Sequence, residues 1–135
     1  MNKAMGFSLL ELMIVVLIVG ILLGISVPAY QGYVLRSHRT DAHGSLLDIA
    51  ARQERFVAQG TNSYTTNIKD AAGLNMGSDD SKEGYYKLSV KKCASGTIAT
   101  CYLITATAQG SQANDTGCTA LTYDSAGTKA PAACW

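Results

Sequence analysis

Gly6-Phe7-Ser8-Leu9-Leu10-Glu11 opens an apolar run that carries no further charge until Arg36, and the reading of this stretch decides the fold. The 24 uncharged residues from Leu12 to Leu35 extend about 36 Å as an α-helix, against about 30 Å of bilayer hydrocarbon. The segment is therefore long enough to span a membrane. Leu, Ile, Val and Met dominate from Leu9 to Leu23, and the interruptions are Gly20, Gly24, Ser26 and Pro28. Glu11 breaks the pattern. A carboxylate at membrane depth costs about 2.5–3.5 kcal/mol on insertion scales, and such groups generally have a partner. Glu11 is accordingly a candidate functional residue.

A secretory signal peptide requires a charged n-region, an apolar core and a small-x-small site; Lys3 supplies the first and Val27-Pro28-Ala29 the third. Glu11 inside the core argues against that reading, as does the continuation of the uncharged run through Tyr30, Tyr33 and Val34. A plain signal anchor leaves Gly6, Phe7 and Glu11 without a role. Together, the six-residue leader with Lys3, the stretch from Gly6 to Glu11, the apolar run and Pro28 resemble the type IV pilin family, over residues 1 to about 59. The resemblance implies cleavage between Gly6 and Phe7 by a prepilin peptidase and N-methylation of Phe7. It further implies a single-pass precursor in the inner membrane, and an assembly platform there that delivers the chain to a filament of pilin subunits outside the cell. Adhesion, twitching motility and DNA uptake are the roles such filaments support. The implied fold is α+β, a long N-terminal helix packed on a small antiparallel sheet.

The resemblance gives Glu11 a partner in the amine of Phe7 on an adjacent subunit. Orphan N–H groups and the macrodipole make a helix N-terminus favourable for a negative charge. Two poorly solvated charges that meet only in the correct axial register offset each other's desolvation, so Glu11 is expected to set register during assembly.

Working outward, Gly20 and Gly24 form a small-xxx-small spacing that permits close helix approach. Pro28 removes one helical hydrogen bond, which predicts a kink or local melting near Ser26 to Pro28, or the end of the membrane segment. From Gln31 to Gln59 the pattern turns amphipathic, with Leu35, Ala42, Leu46, Ile49 and Phe56 on one stripe. Asp48 and Arg52 form an i,i+4 pair outside the stripe, and Gly60 suits the position just after a helix. The chain thus divides into a leader, 1–6; a transmembrane or filament-core half-helix, 7–30; an amphipathic half-helix, 31–59; a loop, 60–84; and a sheet with a disulfide-stapled tail, 85–135.

The loop is rich in Gly, Asn, Ser, Thr and Asp, with a short helical turn considered at 68–74. Tyr86, Leu88 and Val90 alternate with Lys87, Ser89 and Lys91, and Tyr102, Ile104, Ala106 and Ala108 alternate with Leu103, Thr105 and Thr107. Thr119 to Tyr123 is a third candidate strand. Seven tyrosines and Trp135 read as packing and rim residues. Cys93, Cys101, Cys118 and Cys134 are even in number within the exported part, so disulfides are expected. Of three connectivities, Cys93 with Cys101 across a hairpin and Cys118 with Cys134 across the tail are favoured. Zinc is the rival, but there is no C-x-x-C pair or nearby histidine.

No catalytic signature, metal motif or phosphate-cradling loop is present, so neither enzyme activity nor a cofactor is expected. His38 and His43 fall about 140° apart on a helix and read as solvated; Asp79, Asp80 and Glu83 lack the alternating ligands of a calcium loop. Eleven basic side chains stand against ten acidic, and loss of Lys3 leaves ten against ten, so bulk charge does not point to nucleic acid. DNA capture is nevertheless the sharper rival function. The stretch from Ala51 to Phe56 and the closing Cys134-Trp135 resemble PilE-like minor pilins, relatives of competence pilins that bind incoming DNA. Lys87, Lys91 and Lys92, joined by Lys82 and Lys129, are the candidate basic patch; the bland alternative is a solvated strand edge that discourages aggregation. A type II secretion pseudopilin shares the N-terminal motif, but the four cysteines and the Cys-Trp ending argue against it.

Overall fold

The structure is a computed structural model that describes residues 6–135. Lys3 and the leader up to residue 5 lie outside the described residues. One α-helix, α1, runs Leu9–Phe56 and continues as a π-helical turn over Val57–Thr61. The chain divides into two compact units, one ending at Val34 and the other Leu35–Trp135.

In the first unit α1 is apolar on every face, and its large side chains from Leu9 to Val27 are all exposed. A helix hydrophobic all round requires lipid or other helices around it, and this one is long and apolar enough to cross a membrane. The local melting expected near Ser26 to Pro28 is not present, because α1 is helical throughout. Proline fixes φ at a helical value and forfeits one N–H, while the Ser26 hydroxyl donates to the Leu22 carbonyl at 2.7 Å.

In the second unit the strands β1 (Tyr86–Lys92), β2 (Tyr102–Ala108), β3 (Ala120–Asp124) and β4 (Lys129–Ala130) form an antiparallel meander in the order β1-β2-β3-β4. The pairing sets Leu88 against Ala106 and Val90 against Ile104, and Ala106 against Leu121. With a side-chain period of two, this register puts all of them on one face, with Tyr86 and Tyr102. That face packs on Ala42, Leu46 and Ile49 of α1 in one core, which Ile68 and Leu74 of the connecting loop complete. The α+β architecture with one long helix is as expected.

Several details differ from the expectation. Leu35 and Phe56 are only half-buried, whereas Ala50, Ser45 and Gln53 join the buried face. The regular α-helix ends at Phe56 and its π-helical continuation carries past Gln59 to Thr61, and the chain leaves that turn through Gly60 at φ 91° and Asn62 at φ 51°. Residues 68–74 form a hydrogen-bonded turn but no longer stretch of helix, Gly73 N–H donating to Asp70 O at 2.9 Å, and further backbone bonds close the loop around it, Leu74 N–H to Asn67 O and Met76 N–H to Ile68 O, each 2.9 Å. Those bonds hold Ile68 and Leu74 inward. The third strand is shifted by one residue, and β4, two residues long, is too short to show alternation. The disulfides are Cys93–Cys101 and Cys118–Cys134, with Cα separations of 5.6 and 5.7 Å.

Candidate functional site

The N-terminal site is built by the helix start. Ser8 precedes the first residue of α1, and its Oγ accepts the Glu11 N–H at 3.2 Å. Ser8 and Glu11 therefore have the spacing of a capping box, S-x-x-E, in which the serine satisfies one of the orphan donors. Sequence reasoning singled out Glu11 by its charge and overlooked Ser8, although the spacing was legible. Phe7 is 82 % exposed immediately before this cap.

A second polar arrangement ties the tail to α1. Arg39 meets Asp115 through two bonds, Nε to Oδ2 and Nη2 to Oδ1, both 2.7 Å. The carboxylate, hydrogen-bonded by that guanidinium, is held below its ordinary pKa despite burial, and the guanidinium is raised in turn. Gln112, fully buried, places Nε2 within 3.0 Å of Leu35 O, 2.9 Å of Tyr86 Oη and 3.1 Å of Asp115 Oδ2. Its Oε1 accepts from His38 Nδ1 at 3.1 Å. Gln53, also fully buried, mimics a strand: Nε2 donates to Thr65 O at 2.6 Å and Oε1 accepts Thr65 N–H at 3.0 Å. Gln53 stands on the stripe, four residues after Ile49, so periodicity gives its face but not its partner, and Gln112 lies outside any periodic element; a buried amide is recognised by the backbone it satisfies.

The histidines are not solvated, contrary to expectation. His38 stacks on Tyr85 at 3.7 Å, and His43 stacks on Trp135 at 4.5 Å while Nε2 donates to Cys134 O at 2.9 Å. Their angular separation on α1 was read correctly, but each faces a chain segment that packs against the helix from a different side.

The basic patch is smaller than the sequence suggested. Lys87 Nζ lies 2.8 Å from Asp79 and 3.0 Å from Asp80, and Lys69 lies 3.1 Å from Asp79. Hydrogen bonds from Lys87 and Lys69 lower Asp79 to about 2, and Asp79 and Asp80 raise Lys87. Lys87 is thus charge-compensated within its own chain. Lys129 is spent on the far edge strand, 4.7 Å over the Trp135 ring. Lys91 and Lys92, exposed at the end of β1, have no ion pair among the described residues. They flank the Cys93–Cys101 loop, which is closed by Cys101 N–H to Thr97 O at 3.0 Å. The outward edge of β1 is covered near its start, where Ser81 N–H donates to Tyr86 O at 2.8 Å and Leu88 N–H to Asp79 O at 2.6 Å.

At that covered end a groove of about 890 Å³ runs between α1 and residues 76–85. Asp41, Asp48, Asp80 and Glu83 line it against one lysine, Lys82. Asp41 anchors the outer wall, accepting from Ser81 Oγ at 2.5 Å and Glu83 N–H at 3.1 Å. All four sulfurs are consumed in disulfides, and no cluster of three metal-ligating side chains exists among the described residues.

Residues 28–122 match the family described as "Type IV minor pilin ComP, DNA uptake sequence receptor", and residues 1–27 match the prokaryotic N-terminal methylation motif. The type IV major alpha-pilin of Moraxella bovis is 52 % identical over 46 residues, covering 34 % of this chain and 29 % of that protein. Fimbrial protein EcpC of Eikenella corrodens is 37 % identical over 92 residues, 68 % of this chain and 56 % of that protein. Type IV major pilin protein PilE of Neisseria gonorrhoeae is 36 % identical over 86 residues, 64 % and 49 % respectively. The chain spans between 29 % and 56 % of the length of these curated relatives. A type IV pilin from Shewanella oneidensis shares the fold, with a TM-score of 0.53 and 22 % identity over 75 % of this chain and 97 % of that one.

Proposed function

This chain belongs to the type IV pilins, in the family of minor pilins described as ComP, DNA uptake sequence receptor, and from that premise we propose that it is a pilus subunit that also receives DNA. The match of that family over residues 28–122, following a methylation motif at 1–27, carries the proposal. The family and fold are those of structural subunits.

In this reading the precursor sits in the inner membrane through the apolar half of α1. A prepilin peptidase removes the leader between Gly6 and Phe7, the new Phe7 amine is methylated, and a membrane platform passes the chain to its neighbours. Glu11 then meets the Phe7 amine of an adjacent subunit in the filament core. The exposed apolar surface of α1 supports this, since it needs helices around it once out of lipid. The register role follows from the desolvation of two charges that are favourable only as a pair. Adhesion and twitching motility are further roles open to the assembled fibre.

Lys91 and Lys92 are the DNA contacts in this reading. They are the exposed cations at the tip of a rigid, disulfide-clasped hairpin, and phosphate contact requires uncompensated charge. The methylation motif alone would suit a secretion pseudopilin equally; the ComP match favours the competence pilin.

The test has two arms. Mass spectrometry of sheared fibres is expected to detect a chain starting at N-methylated Phe7, and Glu11→Ala to deplete it from fibres while leaving it in membranes. Binding of duplex DNA to the full chain is expected to weaken on Lys91→Ala with Lys92→Ala. The slope of log affinity against log salt should fall by about 1.8, from about 0.9 per lost phosphate contact. Retention of Gly6 in the membrane-bound chain refutes the first arm, and an unchanged salt slope the second.

A further inference from the structure

The acidic groove and the basic hairpin lie at opposite ends of β1. Six residue steps separate Tyr86 from Lys92, about 20 Å at 3.3 Å per residue, so the hairpin cannot fold back into the groove of its own chain. Of the four groove carboxylates Asp48 is paired with Arg52 and Asp80 with Lys87, which leaves Asp41 and Glu83 against the one lysine, Lys82, and the hairpin tip carries Lys91 and Lys92 without an acidic partner among the described residues. On α1 the small residues Ser37, Thr40, Gly44 and Ser45 lie among the groove's lining, with open space above Gly44. The hairpin loop is equally slim: Ala94, Ser95, Gly96 and Thr97 are all exposed.

We propose that the groove between α1 and residues 76–85 is the docking site for the Lys91-Lys92 hairpin of a second copy of this chain, an inference that rests on the filament reading. Glu83 and Asp41 face the incoming lysines, and Met76 and Tyr85 give the groove an apolar wall. The loop enters with little ordering cost, because the Cys93–Cys101 disulfide and the Thr100 N–H bond to Thr97 O at 3.1 Å already fix its shape. The two halves of the contact are different patches of one surface, so it is heterologous and propagates from copy to copy. Phosphate is repelled from the groove, while the hairpin attracts it. Docking and DNA binding therefore compete for the same two lysines.

The test places photoreactive benzoyl-phenylalanine at Thr97 in the full chain and maps ultraviolet crosslinks in membranes and fibres. A dimer joined to residues 37–48 or 76–85 is expected. Lys91→Glu with Lys92→Glu should reduce its yield about tenfold, the effect of a change near 1.4 kcal/mol. Adding Glu83→Lys to that pair should restore the yield to within about twofold without restoring DNA binding, which separates this inference from the DNA reading. Crosslinks mapping elsewhere, crosslinks to a different protein, or a yield indifferent to charge reversal would each overturn it. Adduct formation in a chain absent from sheared fibres would instead refute the filament reading.

Discussion

Replacing Asp115 by Asn leaves the Arg39 guanidinium without its counter-charge and sets an amide donor against it. Breaking a buried ion pair from one side costs about 3–5 kcal/mol. Here the side chains are 17 % and 8 % exposed, so water reaches the guanidinium, and the expected loss is about 2–3 kcal/mol. For a unit of this size that corresponds to a fall in Tm of roughly 8–15 °C. The measurement is thermal unfolding of the full chain in detergent, followed by near-ultraviolet circular dichroism, which reports tertiary packing and not the membrane helix. The apolar pair Arg39→Met with Asp115→Leu should recover to within about 1 kcal/mol of the original, because it also removes the desolvation of both charges. The pH dependence has a definite sign. Asp115 is held low in the folded state by the hydrogen bonds from Arg39, so the pair stabilises fully above the pKa of an unfolded carboxylate and is lost as pH falls through the depressed folded value. The gap between the original and Asp115→Asn should thus be constant near neutrality and close in acid. A single-variant loss below about 0.5 kcal/mol, or a double variant as unstable as the sum of its singles, would refute the reasoning.

Gln53→Ala strands the Thr65 N–H and C=O and should destabilise the second unit by about 2–4 kcal/mol, with faster hydrogen exchange at Thr65. Loss of Cys118–Cys134, a separation of 16, should cost about 3 kcal/mol against about 2.5 for Cys93–Cys101, a separation of 8, in the chain-entropy relation; denaturant midpoints of the paired Cys→Ser variants give the order. Asp79 is lowered from 3.8 to about 2 by Lys87 and Lys69, so its hold on the loop is complete above pH about 4 and lost as pH falls toward 2. Exchange protection of Leu88 N–H, which Asp79 O accepts, should follow that window and lose its pH dependence in Asp79→Asn.

What the amino-acid sequence determined is whatever depends on local pattern. A run of 24 uncharged residues is long enough to span a bilayer wherever the rest of the chain lies, and Glu11 within its start is a cost that asks for a partner. Periods of 3.6 and 2 fixed the stripe of Ala42, Leu46 and Ile49 and the inward set of β1 and β2, because each residue's face follows from its own position in its element. The disulfide pairing followed from a hairpin that brings Cys93 to Cys101. The long-range polar contacts belong to tertiary structure. Lys87 looked like a free cation on a strand, and its charge is compensated once the fold brings Asp79 and Asp80 beside it from a loop with no period. His38 and His43 looked solvated until Tyr85 and Trp135 arrived from residues far along the chain. Gln53 and Gln112 are buried because each amide satisfies a backbone group that would otherwise be orphaned. Pattern fixes the face that a residue presents; charge compensation and buried hydrogen bonds depend on what the rest of the fold brings against that face, and only the assembled tertiary structure supplies it.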